Sequence, residues 1–269
     1  MRILVSGLRK LVRRPATFVT VLLLIGLLVL VFLAVGASAR QSPNPDQTRN
    51  ALLLVTFPGA YFLVLSFILG LGGLLGVIFG AAIAGSEWTW GTLKAAVARG
   101  ESRSGYMLSS FGAVAVIVGI GLLLSFVVGV VAALVAAKIA GVSTDGLGDS
   151  TVLGRMPEQL LRGWLALAEE AALGFAIATI ARSQLAGIGV GIGVYFGEQF
   201  ASIFLPDIVK YLPFAAAQAV VSTSEAGLGG GAAAVRGLPP DTALVVVAIW
   251  FIGALAATAL FTERAEIAG

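Results

Sequence analysis

The 269-residue chain contains no cysteine and no histidine. The first absence excludes disulfides, thiolate metal sites and a cysteine nucleophile. The second removes imidazole proton shuttles, HExxH zinc chemistry and Ser-His dyads, and with them intramembrane proteolysis of those types. A membrane-embedded enzyme is poorly supported, because no nucleophile–base pair can be identified. Charge is scarce too: 12% of residues are charged against 58% hydrophobic, and mean hydropathy is +1.01. No GxxxxGK[ST] phosphate loop occurs, so ATP is not bound through that device. The Gly229-Gly230-Gly231 run lacks the lysine and the following helix and reads as a flexible loop. A net charge of +3 and a pI of ≈ 9.5 do not point to nucleic acid. The basic residues sit beside apolar runs rather than on one open face.

What is present is a series of apolar runs longer than a soluble core helix needs. A hydrocarbon core about 30 Å thick takes roughly 20 helical residues. The length therefore suits a single all-α integral membrane domain of six transmembrane helices, at about 17–39, 58–84, 106–137, 160–181, 185–205 and 242–262. Ahead of them, residues 1–16 carry Arg2, Arg9, Lys10, Arg13 and Arg14 between Ile3, Leu4, Leu8, Leu11 and Val12. That spacing predicts a basic amphipathic helix able to lie on an anionic membrane surface, broken at Pro15. Ala37-Ser38-Ala39 is similar to a signal-peptidase site. The apolar run before it exceeds the about 7–15 residues of a signal-peptide core, so a retained anchor is expected.

Between spans, Gln41–Asn50 reads as a short polar loop, and Ala51–Phe57 as interfacial, with Pro58 suited to a first helical turn. Gly141–Glu158 reads as a loop, Arg182-Ser183-Gln184 as a tight hairpin, and 206–241 as an outer re-entrant or interfacial helix pair. Residues 263–269 form a short tail. Gly72, Gly76 and Gly80 in span 2, and Gly189, Gly193 and Gly197 in span 5, recur every four residues, a spacing that lets another helix approach closely. With loops assigned alternately, Arg2, Arg9, Lys10, Arg13, Arg14, Lys94, Arg99, Arg103, Arg182 and Arg264 share one side, ten basic residues against seven on the other. The bias places both termini in the cytoplasm.

Ionisable groups inside spans are costly and often mark pathways. Glu169 and Glu170 lie within span 4. As neighbours on a helix they point about 100° apart and cannot both face one site. Arg162 stands two turns before Glu169 on the same face, so a structural pair is one reading and a substrate path or proton relay the other. Glu198, near the outer end of span 5, is expected to face water at a cavity rim. An ion-gradient-driven transporter or channel would use these three acids. The inverted repeats common in such carriers are not visible between residues 1–137 and 138–269.

The most distinctive stretch is Gly85–Ser104, GSEWTWGTLKAAVARGESRS, which crowds Glu87, Lys94, Arg99, Glu101 and Arg103 between two uncharged runs. Its charges place it outside the hydrocarbon, and residues 88–98 suit a short helix with Trp90, Leu93 and Val97 on one face. It reads either as a solvated loop with an interfacial aromatic belt or as a docking element for a soluble partner.

Glu87, Gly91-Thr92-Leu93-Lys94 and Arg103 followed by Tyr106 resemble the loop after span 2 in type-2 ABC transporter permeases. The basic N-terminal helix, the Arg182–Leu185 turn and the charged closing segment Phe261–Ile267 agree with that family in outline, although Glu263 and Glu266 make the closing segment less basic than the family's form. The resemblance implies a permease subunit of an ABC exporter for a hydrophobic or amphipathic substrate. It implies two copies of a separate ABC ATPase subunit carrying ATP and Mg2+, with no cofactor on this chain, and a second permease subunit, either a homodimer partner or a paralogue. Residues 88–98 would be the cytoplasmic coupling helix, with Glu87, Trp90, Gly91, Thr92, Lys94, Arg99 and Arg103 at the ATPase contact. Residues 1–16 would be the elbow helix, with Arg9, Lys10, Arg13 and Arg14 on membrane lipid. Glu169, Glu170 and Glu198 would be candidates for the translocation path. The implied location is the bacterial cytoplasmic membrane, and no nucleic-acid partner is implied.

Overall fold

A computed structural model of the chain describes residues 2–41, 52–221 and 237–265. Most of the expected 41–50 loop, the Gly229–Gly231 run and the end of the tail lie outside the described residues. No strand occurs among those described. The basic amphipathic segment forms α1 (Arg2–Val12), and a corner at Arg13–Arg14 leads into α2 (Pro15–Gln41). Pro15 opens α2, where a missing N–H costs nothing. After Pro58 come α3 (Gly59–Thr89), the short α4 (Thr92–Ala98) and α5 (Arg103–Ala140). Gly141 ends α5 in the left-handed conformation, φ 73°, a helix stop that favours glycine. A 3-10 turn (Asp145–Gly148) precedes α6 (Ser150–Ala181), whose start is capped by Asp149 accepting from Thr151 N at 2.9 Å and Val152 N at 3.2 Å. Arg182 and Ser183 turn the chain into α7 (Gln184–Phe204), with Ser183 Oγ accepting from Ala186 N. Two short helices, α8 (Pro206–Val209) and α9 (Pro213–Ala219), lead towards α10 (Pro240–Glu263).

Five of these helices, α2, α3, α5, α6 and α10, are long and apolar enough to cross a membrane. The chain is an all-α membrane protein with several such helices. In α7 the frequent glycines, Glu198 and Gln199 dilute the apolar character that the other five have.

The bundle is organised on the seam between α3 and α6, which the span 2 glycines make close. A Cβ on Gly80 would overlap the Ala171 carbonyl, and one on Gly174 would overlap the Val77 carbonyl. A Cβ on Gly76 would lie 3.5 Å from Leu167 O. Around this seam Phe62, Leu65, Leu28 and Phe32 pack at one end, and Phe79, Leu93, Met107, Phe111 and Phe175 at the other. Phe111 and Phe175 meet edge to face at 5.5 Å. The outer faces carry exposed Leu22, Val127, Ile249 and Leu185, as a surface meeting lipid requires.

Several expectations change. Helix α3 continues to Thr89 rather than stopping near 84, and helix resumes only at Thr92, so the 88–98 helix is shorter than expected. Trp90 does not share a face with Leu93: Leu93 is buried, whereas Trp90 is 65% exposed in the break between helices. Helix α6 begins at Ser150 and takes up half of the expected 141–158 loop. Pro157 lies inside it, on the exposed side, where the Leu153 carbonyl left without its amide donor can turn to the surface. On α7 the close contacts are made by Gly187 against Ala178 and Gly191 against Val77. Gly189, Gly193 and Gly197 meet nothing within 4 Å, so the packed row is that of Gly187 and Gly191 and not the expected one.

Candidate functional site

One end of the bundle gathers α1, the last turn of α3, α4, the start of α5, the Arg182 turn and the end of α10. At its centre is Glu87, 1% exposed. It occupies the last turn of α3, the end of a helix where a negative charge is unfavourable, so its stability depends on partners. Lys10 Nζ lies 2.5 Å from Oε1, and Arg14 Nη2 lies 3.8 Å from the same oxygen. On Oε2, Tyr106 donates its hydroxyl at 2.8 Å, and the Thr92 hydroxyl donates as well. One carboxylate thus joins four helices.

The fold divides the basic residues of the N-terminal segment. Lys10 and Arg14 turn inward onto Glu87, whereas Arg9 and Arg13 are exposed. Arg14 donates to Ser86 Oγ at 2.8 Å and lies 4.9 Å from the Trp90 ring centroid, a cation–π contact. Burial pulls the Arg14 guanidinium below its ordinary value, with the Glu87 charge opposing that shift. A cavity of ≈ 150 Å³ adjoins the cluster, lined by Ser6, Lys10, Glu87, Tyr106 and Ser110 among others.

The turn between α3 and α4 needs Gly91. Its φ is +64°, and nothing lies within 4 Å of the position its Cβ would take, so the constraint is the backbone itself. Leu93 and Ala96 anchor α4 to the bundle, while Lys94 and Arg99 stand on its exposed side. Arg103, expected among the partner-facing residues, instead donates to the carbonyls of Ala265 at 2.7 Å and Glu263 at 3.4 Å. Glu263 Oε1 accepts from Ser104 N at 3.2 Å and from Ser104 Oγ at 2.5 Å. The start of α5 is therefore tied to the end of α10. Trp88 carries Arg182 over its ring at 5.4 Å, and Gly85 leaves no room for a side chain against the Gln184 backbone.

The second group is Glu169, Glu170 and Glu198. Glu169 and Glu170 are 0% exposed, and none of their carboxyl oxygens has a hydrogen-bond partner among the described residues. The carboxyl of Glu170 fills the space a side chain on Gly73 would need. Glu169 has no pairing with Arg162. That guanidinium bonds Glu158 at 2.7 Å and Asp241 at 2.7 Å instead. Nor does Glu198 face water: it is 4% exposed and accepts from Ala215 N at 3.1 Å in the first turn of α9. Among the described residues no group of three acidic side chains is arranged to hold a metal ion.

A family model described as "Protein of unknown function (DUF2705)" matches residues 46–267, and the chain belongs to that family. No curated protein matches the sequence.

Proposed function

We propose that this chain is the permease subunit of a type-2 ABC transporter. In this reading α7 is the fifth of six spans, α1 is the elbow helix and α4 is the coupling helix. The protein exports a hydrophobic or amphipathic substrate across the bacterial cytoplasmic membrane, with both termini in the cytoplasm. Two ATPase subunits supply ATP and Mg2+, and a second permease subunit completes the path.

The observation that carries the reading is the Glu87 cluster. ATPase closure is a rigid-body motion, and its transmission needs a short exposed helix fixed to the spans behind it. Glu87 binds α4 through Thr92, α5 through Tyr106 and α1 through Lys10. Lys94 and Arg99 lie on the exposed side of α4, where a partner's carboxylates would meet them. The test is purification of the full chain in mild detergent with whatever soluble subunit accompanies it. An accompanying ATPase whose hydrolysis is uncoupled from transport by Glu87→Ala or Gly91→Pro supports the proposal. A chain that purifies alone and transports under an ion gradient overturns it.

That second outcome belongs to the other reading, an ion-gradient transporter or channel using Glu169, Glu170 and Glu198. It is favoured by one observation, the two fully buried carboxyls of successive α6 residues, unpartnered among the described residues. Glu169→Gln would abolish gradient-driven transport under this reading.

A further inference from the structure

We infer that the cleft between α2, α3, α5 and α6 holds an acyl chain of an anionic phospholipid, whose phosphate is taken by Arg9 and Arg13. The inference rests on the membrane location of the helices and not on the permease reading.

The cleft has a volume of ≈ 50 Å³, and Gly72, Gly76 and Gly121 form part of its wall. A single water needs only about 10–15 Å³, so the space takes several heavy atoms in a row, a stretch of chain rather than a headgroup. Its only polar side chains are Thr17 and Thr20. Both hydroxyls are already committed: Thr17 donates to Leu11 O at 2.7 Å and Thr20 to Ala16 O at 2.9 Å. No donor side chain is left to hold water and the rest of the lining is apolar, so an apolar occupant fits it best. On the same helix Phe18, Val19, Leu22 and Leu23 are exposed, so α2 presents a lipid-facing surface beside the cleft.

The headgroup follows from charge. Thr17 also donates its backbone N–H to Arg14 O at 3.1 Å, so this end of the cleft adjoins the corner that carries Arg13. Lys10 and Arg14 are held by Glu87 and Ser86. Arg9 and Arg13 are exposed and have no partner among the described residues. Arg9 lies in the last turn of α1 and Arg13 one residue beyond its end, at the corner that leads into α2. Arg13 at the corner beside the Thr17 end of the cleft, with Arg9 exposed on the preceding helix, supplies the positive charge that an anionic phosphate linked to an acyl chain would meet.

The test uses the full chain in bilayer nanodiscs with two photoreactive probes carrying the same diazirine-labelled acyl chain, phosphatidylglycerol and phosphatidylcholine. The phosphatidylglycerol probe is expected to crosslink within 17–24, 72–79 and 117–122, about tenfold more than the phosphatidylcholine probe, since each basic side chain near an anionic headgroup adds a several-fold preference. The double substitution Arg9→Gln and Arg13→Gln is expected to remove that preference without changing the melting temperature, because neither residue contacts the bundle core. Thr20→Phe, which fills the cleft from its rim, is expected to remove crosslinking by both probes. Equal crosslinking by the two lipids overturns the inference, as does a preference that survives the arginine substitutions. Cleft crosslinking blocked by a non-lipid molecule retained through purification overturns it too and assigns the space to cargo. Recovery of an ATPase is a separate measurement, so a failed permease reading leaves these outcomes unchanged.

Discussion

Lys10 Nζ and Glu87 Oε1 lie 2.5 Å apart across 77 residues of sequence. This pair fastens the first helix of the chain to the last turn of α3, and the same carboxylate receives Thr92 and Tyr106. Removing one member of a buried pair is expensive mainly because the other charge stays behind. Glu87→Ala should therefore cost about 3 kcal/mol, the lower end of the buried-pair range, because Lys10 keeps 34% side-chain exposure. Lys10→Met should cost less, because Arg14, Thr92 and Tyr106 still hold the carboxylate left behind. The Glu87→Gln and Lys10→Met double variant should be more stable than the sum of its singles by about 1–3 kcal/mol. Reversible unfolding in mixed micelles measures all four corners of the cycle, and strict additivity would refute the coupling.

The glycines separate by environment. A Cβ on Gly80 would overlap the Ala171 carbonyl, backbone that can move only if α3 and α6 part. Gly80→Ala should cost about 1–3 kcal/mol or more, the range for forcing extra atoms into a packed core. Gly189→Ala meets nothing within 4 Å, and it should be neutral or stabilising by up to about 1 kcal/mol, since alanine is the better helix former. Detergent melting temperatures check the contrast, and equal losses would show that the α7 face is also packed.

The tie between α5 and α10 can be cut from one side. Arg103→Ala removes the charged donor to Ala265 O and Glu263 O, a bond type worth about 1.5–3 kcal/mol. Amides in the last turn of α10 should then exchange roughly tenfold faster, because their opening becomes local. Amides in the middle of α3 should be unaffected. Hydrogen exchange by mass spectrometry resolves the two segments.

The helices were largely legible in the sequence because hydrocarbon length and turn chemistry are local. Pro15, Pro58, Gly141 and the Arg182–Gln184 turn lie at or beside helix ends. The start of α6 at Ser150, capped by Asp149, falls inside the stretch read as a loop, whose glycines, aspartates and Pro157 are equally turn-forming and cap-forming residues. The importance of Glu87 could be read from its setting among Gly91, Thr92 and Tyr106. Its main cation could not, because Lys10 is brought to it only by the fold. Nor does spacing alone decide which of two interleaved glycine rows on α7 is packed. Gly187 and Gly191 face Ala178 and Val77, and the neighbouring row at 189, 193 and 197 faces outward. The acids were found, but not their burial, which depends on how α3, α6, α7 and α9 close around them.

Glu170 offers the sharpest separation of structural from functional roles. Its carboxyl occupies the space a Gly73 side chain would need, so Gly73→Ala should destabilise the seam. Glu170→Ala should relieve that clash, making the double variant more stable than additivity allows. The carboxyl itself has no hydrogen-bond partner and no exposure. Replacing buried charged groups by apolar ones of similar volume is often neutral or stabilising by about 1–4 kcal/mol, so Glu170→Met should raise the melting temperature. A destabilised Glu170→Met variant would instead reveal a partner that the isolated chain lacks. If stability rises while transport is lost, the acid is kept for function at the expense of packing, as sites that bind or pass a ligand often are. If stability rises and transport is untouched, Glu170 lies outside the path, and the gradient-driven reading loses one of the two buried carboxyls on which it stands.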